Sequence, residues 1–563
     1  MTTNHNTQTE DHFNNWPNVQ GFDANYEVKD PIELPVEGTI PAYTAGTLYR
    51  TGPGSYKVDT EQGETLELSH WFDGYSQTHR FQLVAPDADH PLRVYYNSRF
   101  STDLLIEEVR KSGSLKPITF GQKRDPCKAV YDKVQTEYEP ASKPPPPHPA
   151  AVNVGVTLSV NMPGLGTETS DRWDTSTGIK TLWVKTDHNL FKQLDPVTLE
   201  PLGLARQQNL HPDLTGEGTA AHARSDPKTG DVFNYNLTHS PEPTYRVFRV
   251  SASTGETTIL ASFPATPAYL HSLFLTADYV LICVWNAHLD VSVFDTPVHS
   301  VLDAMEPFDP TKPSMWYVID RQGSQGLVGT YIGPPFFCFH SINAWQEPTQ
   351  SSSSSNSIDI VADLVMFDNL DFLFSLYYEN LLSNTSPAKA RLATGRTDST
   401  RSTVARFRLP LIPASASPSP QSQKAILERT ACKPISPELP TLNPSYVTRK
   451  NRYTYSIGAR GESSFFDCIM KLDNDHPETP QIWAQHAHSP GEPIFVADPQ
   501  GTTEDDGVLL SVVLDGHSGK SYLLCLDARD LSVLGKARVD GPVAFGFHGQ
   551  HVSLAGGIPT GDY

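Results

Sequence analysis

The stretch that decides the fold is Val508-Leu-Leu-Ser-Val-Val-Leu-Asp-Gly-His-Ser-Gly-Lys-Ser-Tyr-Leu-Leu-Cys-Leu-Asp-Ala-Arg-Asp-Leu531. Two short runs rich in Val, Leu and Tyr are separated by an Asp-Gly turn, and an Asp-rich turn follows the second run. This pattern predicts consecutive antiparallel strands. Similar short runs occur along the chain at Leu92–Tyr96, Thr181–Val184, Asp231–Tyr235, Tyr245–Val250 and Tyr279–Val284.

The turn after the second run recurs loosely elsewhere in the chain. Phrases related to Cys525–Leu531 occur at Leu194–Glu200, Arg249–Gly255 and Met470–Asp473, each after one strand-like run and before another. Short strands at short intervals indicate an all-β sandwich, barrel or propeller. The recurring phrase is typical of the hairpin between the outer strands of a propeller blade.

Composition limits the classes of function. The chain has 563 residues and a formal net charge of -21, which argues against nucleic-acid binding and against general affinity for anionic membranes. The six cysteines form no CxxC pair, the start of the chain lacks an apolar signal core, and no apolar run is long enough to cross a bilayer. We therefore expect a cytoplasmic protein that is not secreted, with free thiols and unused sequons at Asn236 and Asn384.

Several segments interrupt the strand pattern. We expect loops near residues 141–150, 350–357 and 413–424, where Pro or Ser dominates. Leu370–Leu382 is the best helical candidate. Residues 1–30 are predicted to form a polar N-terminal arm, and residues 31–563 a single β domain with these segments as insertions.

Four histidines beside strand-like sequence are candidate metal ligands. Their contexts are Ala220-Ala-His222, Tyr269-Leu-His271, Phe339-His340 and Phe547-His548. Apolar flanks predict that the rings point inward, where each imidazole needs a partner on both nitrogens. If the four converge, they form an all-imidazole centre that suits Fe(II), Zn(II) or Cu(II); four-His zinc would be closed and structural, whereas octahedral iron keeps two open positions.

Carboxylates are expected behind such ligands, where they orient the rings. Glu438, in Pro437-Glu-Leu-Pro440, and Glu492, in Gly491-Glu-Pro-Ile-Phe-Val496, are the candidates. For each of them taken alone, a solvated residue at a strand start remains the alternative.

Many phrases of the chain, in order, resemble the carotenoid cleavage oxygenase family from about Phe13 to His548. They include Gly46–Gly54, His70–Gly74, Asp125-Pro-Cys127, Leu194–Glu200, Phe339–Trp345, Glu438–Pro440, Gly491–Val496 and Phe547–Gly549. Phe13–Pro17 and Gly21–Asp23 resemble fungal members, including torulene-cleaving enzymes. The regions at 125–127 and 363–382 resemble the animal branch, which contains β-carotene oxygenases and the retinoid isomerohydrolase.

The resemblance implies an all-β, seven-bladed β-propeller with a helical and loop cap over one face. It implies one Fe(2+) per chain on the propeller axis, held by His222, His271, His340 and His548, with O2 as co-substrate. Glu438 and Glu492 match two of the family's three carboxylates behind these ligands, but the third position is Asp187. Because Asp is shorter than Glu, Asp187 must sit closer to its histidine or act through water.

The function implied is cleavage of one C=C bond of a carotenoid, of the torulene or β-carotene type, to apocarotenal products. Cleavage of a stilbene or another phenylpropanoid, a retinyl-ester isomerohydrolase and a non-catalytic lipid-binding propeller are the alternatives. An apolar polyene must come from a membrane or lipid droplet, so we expect peripheral contact through Phe372–Leu382 or Pro313–Tyr317.

Overall fold

Seven sheets of four to six strands are arranged around one axis as a seven-bladed β-propeller in a computed structural model of the chain. The structure describes residues 11–115, 119–123, 148–166, 174, 176–239, 241–295, 300–349, 358–393, 398–412, 423–431 and 435–554. The predicted all-β propeller is therefore confirmed. The loops expected at 350–357 and over most of 141–150 and 413–424, and the motif Asp125-Pro-Cys127, lie outside the described residues.

In chain order the strands are β1 (Ile32–Leu34), β2 (Val36–Gly38), β3 (Gly46–Ser55), β4 (Lys57–Asp59), β5 (Thr65–Glu67), β6 (Tyr75–Val84), β7 (Arg93–Phe100), β8 (Thr157–Val160), β9 (Leu182–Lys185), β10 (Phe191–Leu194), β11 (Pro201–Ala205), β12 (Arg224–Ser225), β13 (Val232–Thr238), β14 (Thr244–Val250), β15 (Thr257–Pro264), β16 (Phe274–Leu275), β17 (Tyr279–Val284), β18 (Ser314–Asp320), β19 (Leu327–Gly333), β20 (Phe337–Pro348), β21 (Ile358–Phe367), β22 (Ser402–Ile412), β23 (Gln423–Lys424), β24 (Ile426–Ala431), β25 (Ser436–Thr441), β26 (Tyr453–Ala459), β27 (Cys468–Asp473), β28 (Gln481–Trp483), β29 (His488–Pro490), β30 (Ile494–Ala497), β31 (Gly507–Asp515), β32 (Lys520–Asp527), β33 (Val533–Arg538) and β34 (His548–Ser553).

Six blades follow the chain and the seventh joins its two ends. The six are β8–β11, β12–β15, β16–β19 with β23, β20–β22 with β24, β25–β28, and β29–β33 with β2 at its outer edge. In the seventh, the order is β34, β3, β6, β7 and β1, so the last strand pairs with strands from the beginning of the chain. Pairing of β34 with β3 ties the two ends of the chain together within one blade.

The recurring turn phrase does lie between the outer strands of blades. It joins β10 to β11, β14 to β15, β27 to β28 and β32 to β33. In two of these turns the N–H groups of Leu199 and Leu531 donate to the carbonyls of Asp195 and Asp527, and both leucines have positive φ, at 63° and 61°. Gly255 occupies the same position in a third turn with φ 73°. A shared five-residue turn therefore underlies the degenerate sequence repeat.

Helices are short and few among the described residues. The α-helices are Val19–Phe22, Asp103–Ser112, Val301–Ala304, Asp371–Ser375, Tyr378–Leu381 and Ser386–Ala393, and the 3-10 helices are Phe13–Asn15, Ala42–Thr44, Trp71–Asp73, Pro149–Ala151, Gln207–Asn209, Val291–Asp295, Asp398–Thr400 and Pro444–Tyr446. The helix expected over Leu370–Leu382 is divided in two, because Tyr377 has extended backbone and forms a bridge with His70. None of these helices has the length and apolar character required to span a bilayer.

Candidate metal centre on the propeller axis

The four predicted histidines meet where the innermost strands of four blades begin. His222 and His271 lie just before β12 and β16, His340 lies near the start of β20, and His548 is the first residue of β34. Two of these strand starts touch directly, since the His222 N–H donates to the His271 carbonyl at 3.1 Å. All four residues are at most 9% exposed. The propeller thus joins residues that are hundreds of positions apart.

One ring nitrogen of each histidine faces a common point. These four nitrogens lie within 4.8 Å of one another, and His548 Nε2 lies 2.9 Å from His222 Nε2 and 3.3 Å from His340 Nε2. Nitrogens bound to one ion at about 2.0–2.1 Å are separated by at most about 4.2 Å, so small ring movements suffice to coordinate it.

Carboxylates contact the opposite nitrogen of three rings. His271 Nδ1 lies 2.8 Å from Asp187 Oδ2, His340 Nδ1 lies 2.5 Å from Glu438 Oε2, and His548 Nδ1 lies 2.8 Å from Glu492 Oε1. His222 has no carboxylate on its ring among the described residues. Each carboxylate accepts a hydrogen bond from an Nδ1–H group, which leaves the Nε2 lone pair directed at the axis.

This donor set fits a cation. Burial and the neighbouring histidines hold the pKa values of His222 and His548 well below the usual range, so these rings stay neutral. Neutral lone pairs that face one another within about 3 Å repel unless a cation lies between them. Because protonation is disfavoured there, a metal ion satisfies the arrangement best, with His222, His271, His340 and His548 as the residues that could hold it.

Asp187 reaches its histidine directly and not through water. It lies in the loop between β9 and β10, and both of its carboxylate oxygens are within 2.9 Å of His271 Nδ1. The Ala221 N–H donates to Oδ1 at 2.9 Å and the Tyr269 hydroxyl donates to Oδ2 at 2.8 Å. Burial and Asp187 raise the pKa of Tyr269 well above its usual range, which keeps the hydroxyl protonated as a donor.

Local irregularities in two strands aim His340 and Glu438. The β20–β21 register shifts between Cys338 and Ser341, and the β25–β26 register shifts between Glu438 and Thr441. Leu439 has φ 49°, and its N–H donates to Glu438 Oε2 at 2.8 Å. A bulge turns a side chain away from the regular alternation of a strand, and here both bulges occur at site residues.

Glu492 connects the site to the buried guanidinium group of Arg50. Its Oε2 accepts from Arg50 Nη1 at 2.9 Å and from the Gly549 N–H at 2.7 Å, while Oε1 contacts His548. Burial raises the pKa of Glu492 to about 7, an effect that Arg50 and the Gly549 N–H oppose. The charge of a bound metal ion would act in the same direction as Arg50 and favour the carboxylate form.

Aromatic side chains cover the side of the centre that faces the short helices. Phe339, which precedes His340, makes edge contacts with several rings. The ring centroids of these residues lie within 6.2 Å of the Phe339 centroid: Phe72, Tyr269, His271 and Phe372. Phe72 in turn contacts Phe547, which precedes His548, and Phe120. The surface above the four nitrogens is therefore apolar and suited to a hydrocarbon.

Two residues of the site were not assigned this role from the sequence. Arg50 lies in the phrase Gly46–Gly54, which was used only for the family resemblance, although an Arg within a strand as closely buried as β3 requires a partner. Tyr269 lies two positions before His271, so both side chains share one face of an extended segment. That spacing was the available signal, and only the fold shows that both side chains contact Asp187.

Removal of the Asp187 charge should weaken metal binding. In Asp187→Asn, the partner of His271 Nδ1 becomes a neutral amide, and loss of such a carboxylate typically costs about 10–100-fold in metal affinity. Titration of the metal-free protein with Co(II) measures the change, and Tyr269→Phe, which keeps the carboxylate, is the matched control. Equal affinity of Asp187→Asn and the unaltered protein would show that the Asp187 charge does not support the site.

A seven-bladed propeller with four buried histidines and their carboxylates on its axis defines a class of metal-binding propeller. The profile of the RPE65 family, retinal pigment epithelial membrane protein, matches residues 21–553, and the chain belongs to this carotenoid oxygenase family. A carotenoid dioxygenase of Neurospora crassa is 40% identical over 569 residues, covering 96% of this chain and 92% of the relative. A torulene dioxygenase of Gibberella fujikuroi is 37% identical over 558 residues, covering 96% of this chain and 94% of the relative.

Similarity extends to more distant proteins. The mouse β,β-carotene 15,15'-dioxygenase is 24% identical over 564 residues, covering 93% of this chain and 90% of the relative. A cobalt-substituted apocarotenoid oxygenase of Synechocystis superposes with a TM-score of 0.69 at 20% identity, covering 95% of this chain and 98% of that chain. This structural likeness supports the fold alone.

Proposed function

We propose that the protein is a non-haem Fe(II) dioxygenase that cleaves one C=C bond of a carotenoid to apocarotenal products. The observation that carries this proposal is the convergence of His222, His271, His340 and His548 beneath an apolar, aromatic surface. When bound, Fe(II) would supply activation of O2, whose two oxygen atoms add across the double bond as it breaks into two carbonyl groups. One ion per chain is expected, because the described residues form one such cluster.

Iron fits this ligand set better than zinc. Four neutral imidazoles leave the full charge on the ion, and an octahedral ion keeps two positions for small molecules, whereas four-His zinc would be closed. Asp187, Glu438 and Glu492 hold the rings in their tautomer and orientation. The aromatic residues above the centre exclude water and position the hydrocarbon chain, so that their arrangement selects the bond that lies over the ion.

The relatives favour a carotene as the substrate. Relatives at 37–40% identity are described as carotenoid or torulene dioxygenases, and they match this chain over nearly its whole length. We propose torulene or β-carotene as substrate. Residues 31–563 would act as one domain, since β3 pairs with β34 and β2 pairs with β33 across the two ends of the chain.

A product panel tests the proposal. The Fe(II)-loaded protein is incubated aerobically with torulene, β-carotene or resveratrol, and the products are separated by HPLC. We expect aldehydes from a carotene and none from resveratrol. Cleavage of resveratrol alone would support the phenylpropanoid alternative, and binding of carotene without products in the Fe(II)-loaded protein would support a lipid-binding propeller.

We also propose that the protein is cytoplasmic and that it takes its substrate at a membrane or lipid-droplet surface. Phe374 in helix Asp371–Ser375 is 48% exposed and Leu104 in helix Asp103–Ser112 is 44% exposed, and both helices contribute residues to one hydrophobic cluster. Pro313–Tyr317, the other candidate from the sequence, lies largely in β18, where Tyr317 stacks on Phe263. Phe374 is therefore the better candidate for apolar contact.

Replacement of Phe374 by Asp should weaken binding to lipid. Transfer of an exposed Phe side chain to an apolar phase is worth about 1.5–3 kcal/mol, so partition onto liposomes should fall roughly tenfold or more. Flotation with neutral liposomes at two salt concentrations measures this, and Ile482→Asp, at an exposed position in β28, is the matched control. Equal flotation of the Phe374 variant and the unaltered protein would show that Phe374 does not contact lipid.

A further inference from the structure

A chamber lined by both polar and apolar residues lies on the propeller axis beneath the histidines. Its volume is about 90 Å³, and at one end it is bounded by His222, His340 and His548. Farther along, its wall includes Ser272, Ser341, Thr441 and Gln550. A space of this size can hold ordered waters.

The chamber and the aromatic surface lie on opposite sides of the centre. Tyr269, Phe339 and Phe547 come just before the histidines of their strands and form the aromatic side. Residues that come just after site residues line the chamber instead: Ser272, Ser341, Pro440, Thr441, Ile494, Gly549 and Gln550. Because the innermost strands all start at the same end of the propeller, the centre has one aromatic side and one side that also carries hydroxyl, amide and carboxylate groups.

The chamber contains buried polar groups with no protein partner. Gln550 is 3% exposed, and neither its amide nitrogen nor its amide oxygen has a hydrogen-bond partner among the described residues. Buried amides are normally satisfied by protein or by water, so the two Gln550 atoms indicate that the chamber is hydrated.

The far end of the chamber reaches the surface of the propeller. Pro440, Thr441, Pro444 and Ile494, which line it, are all partly exposed, in contrast to the fully buried strands behind them. Thr441 is the last residue of β25, and Pro444 begins the next 3-10 helix. A small hydrated solute can therefore approach from this side without passing the aromatic residues.

We propose that the axial chamber is the route by which the divalent metal ion enters and leaves the centre, with Gln550 as the residue that the hydrated ion contacts on the way. This inference rests on the proposed metal centre. A hydrated cation loses a large solvation energy in apolar surroundings, which closes the aromatic side to it. The chamber is also lined by apolar residues such as Phe495, but it offers hydroxyl and amide oxygens and the Glu492 carboxylate, which attracts a cation.

The test measures rates of metal exchange. Metal-free protein is mixed with Co(II), uptake is followed by visible absorbance, and release is followed after addition of a chelator. Gln550→Leu removes the amide, and Thr441→Trp narrows the outer end. In each variant we expect uptake and release to slow by about tenfold or more, while the equilibrium affinity stays within about twofold, because a barrier on the route changes both rates alike.

Phe120→Leu, on the aromatic side, is the matched control and should exchange metal at the rate of the unaltered protein. Thermal unfolding of each variant verifies that it is folded. If both chamber variants load at the unaltered rate, or if Phe120→Leu alone changes the rate, the route is wrong and the metal centre stands. If the unaltered protein takes up no Co(II), the proposed metal centre fails together with the route.

Discussion

Replacement of His340 by alanine is expected to abolish both metal retention and carotenoid cleavage. His340 supplies one of the four facing nitrogens, and its loss also leaves Glu438 buried, at 3% exposure, without a ring to contact. If a protein metal site of four ligands is worth about 10–16 kcal/mol, one ligand carries roughly a quarter of it, so affinity should fall by about 10²–10³-fold. Iron content by elemental analysis and turnover by HPLC measure the effect.

His488→Gln is the matched control for this experiment. His488 is also a buried histidine on a strand, but its Nδ1 contacts the carbonyl of His486, and it lies outside the facing cluster. This variant should keep its iron and its activity. Unchanged iron content and cleavage in His340→Ala would contradict the assignment of the four histidines as the metal ligands.

The second large effect concerns stability. Arg50→Met should destabilise the fold, because the side chains of Arg50 and Glu492 are only 3% and 9% exposed and form an ion pair between the blade that closes the ring and its neighbour. Removal of one partner from a buried ion pair typically costs about 3–5 kcal/mol, since the remaining charge stays desolvated. The apparent Tm at a fixed heating rate should fall by several degrees, in both the metal-free and the metal-loaded protein.

Arg538→Met is the control for Arg50. Arg538 pairs with Glu37 across the β2–β33 edge, but the two side chains are 51% and 56% exposed, and exposed pairs contribute little. Its Tm should remain close to that of the unaltered protein. Equal Tm values for Arg50→Met and Arg538→Met would mean that the Arg50–Glu492 pair does not hold the closing blade in place.

Much of the fold could be predicted from the sequence because local patterns carry it. The strand runs, such as Val508–Val513 and Tyr522–Leu526, became β31 and β32, and the recurrent turn phrase marked the outer hairpins of blades. The number of blades came from family resemblance, because the repeat is too degenerate to count. The division of the Leu370–Leu382 helix was missed, since the bridge between Tyr377 and His70 is a tertiary contact that periodicity does not report.

The site was predictable as residue types but not as geometry. Apolar flanks marked His340 and His548 as inward-facing, yet their convergence depends on closure of the whole ring. Whether Asp187 would contact His271 directly depended on the β9–β10 loop, and the Tyr269 contact followed from the same loop. The Gln550 amide and the axial chamber are visible only when several blades are seen together, because no single segment encodes a cavity.

The most direct test of the central claim is oxygen labelling with the Fe(II)-loaded protein. Torulene is cleaved under 18O2 in ordinary water, and the aldehydes are reduced at once to alcohols, which prevents exchange with solvent before mass spectrometry. A dioxygenase that adds both atoms of O2 across one double bond predicts 18O in both products. Products without 18O, or turnover that continues without O2, would contradict the account.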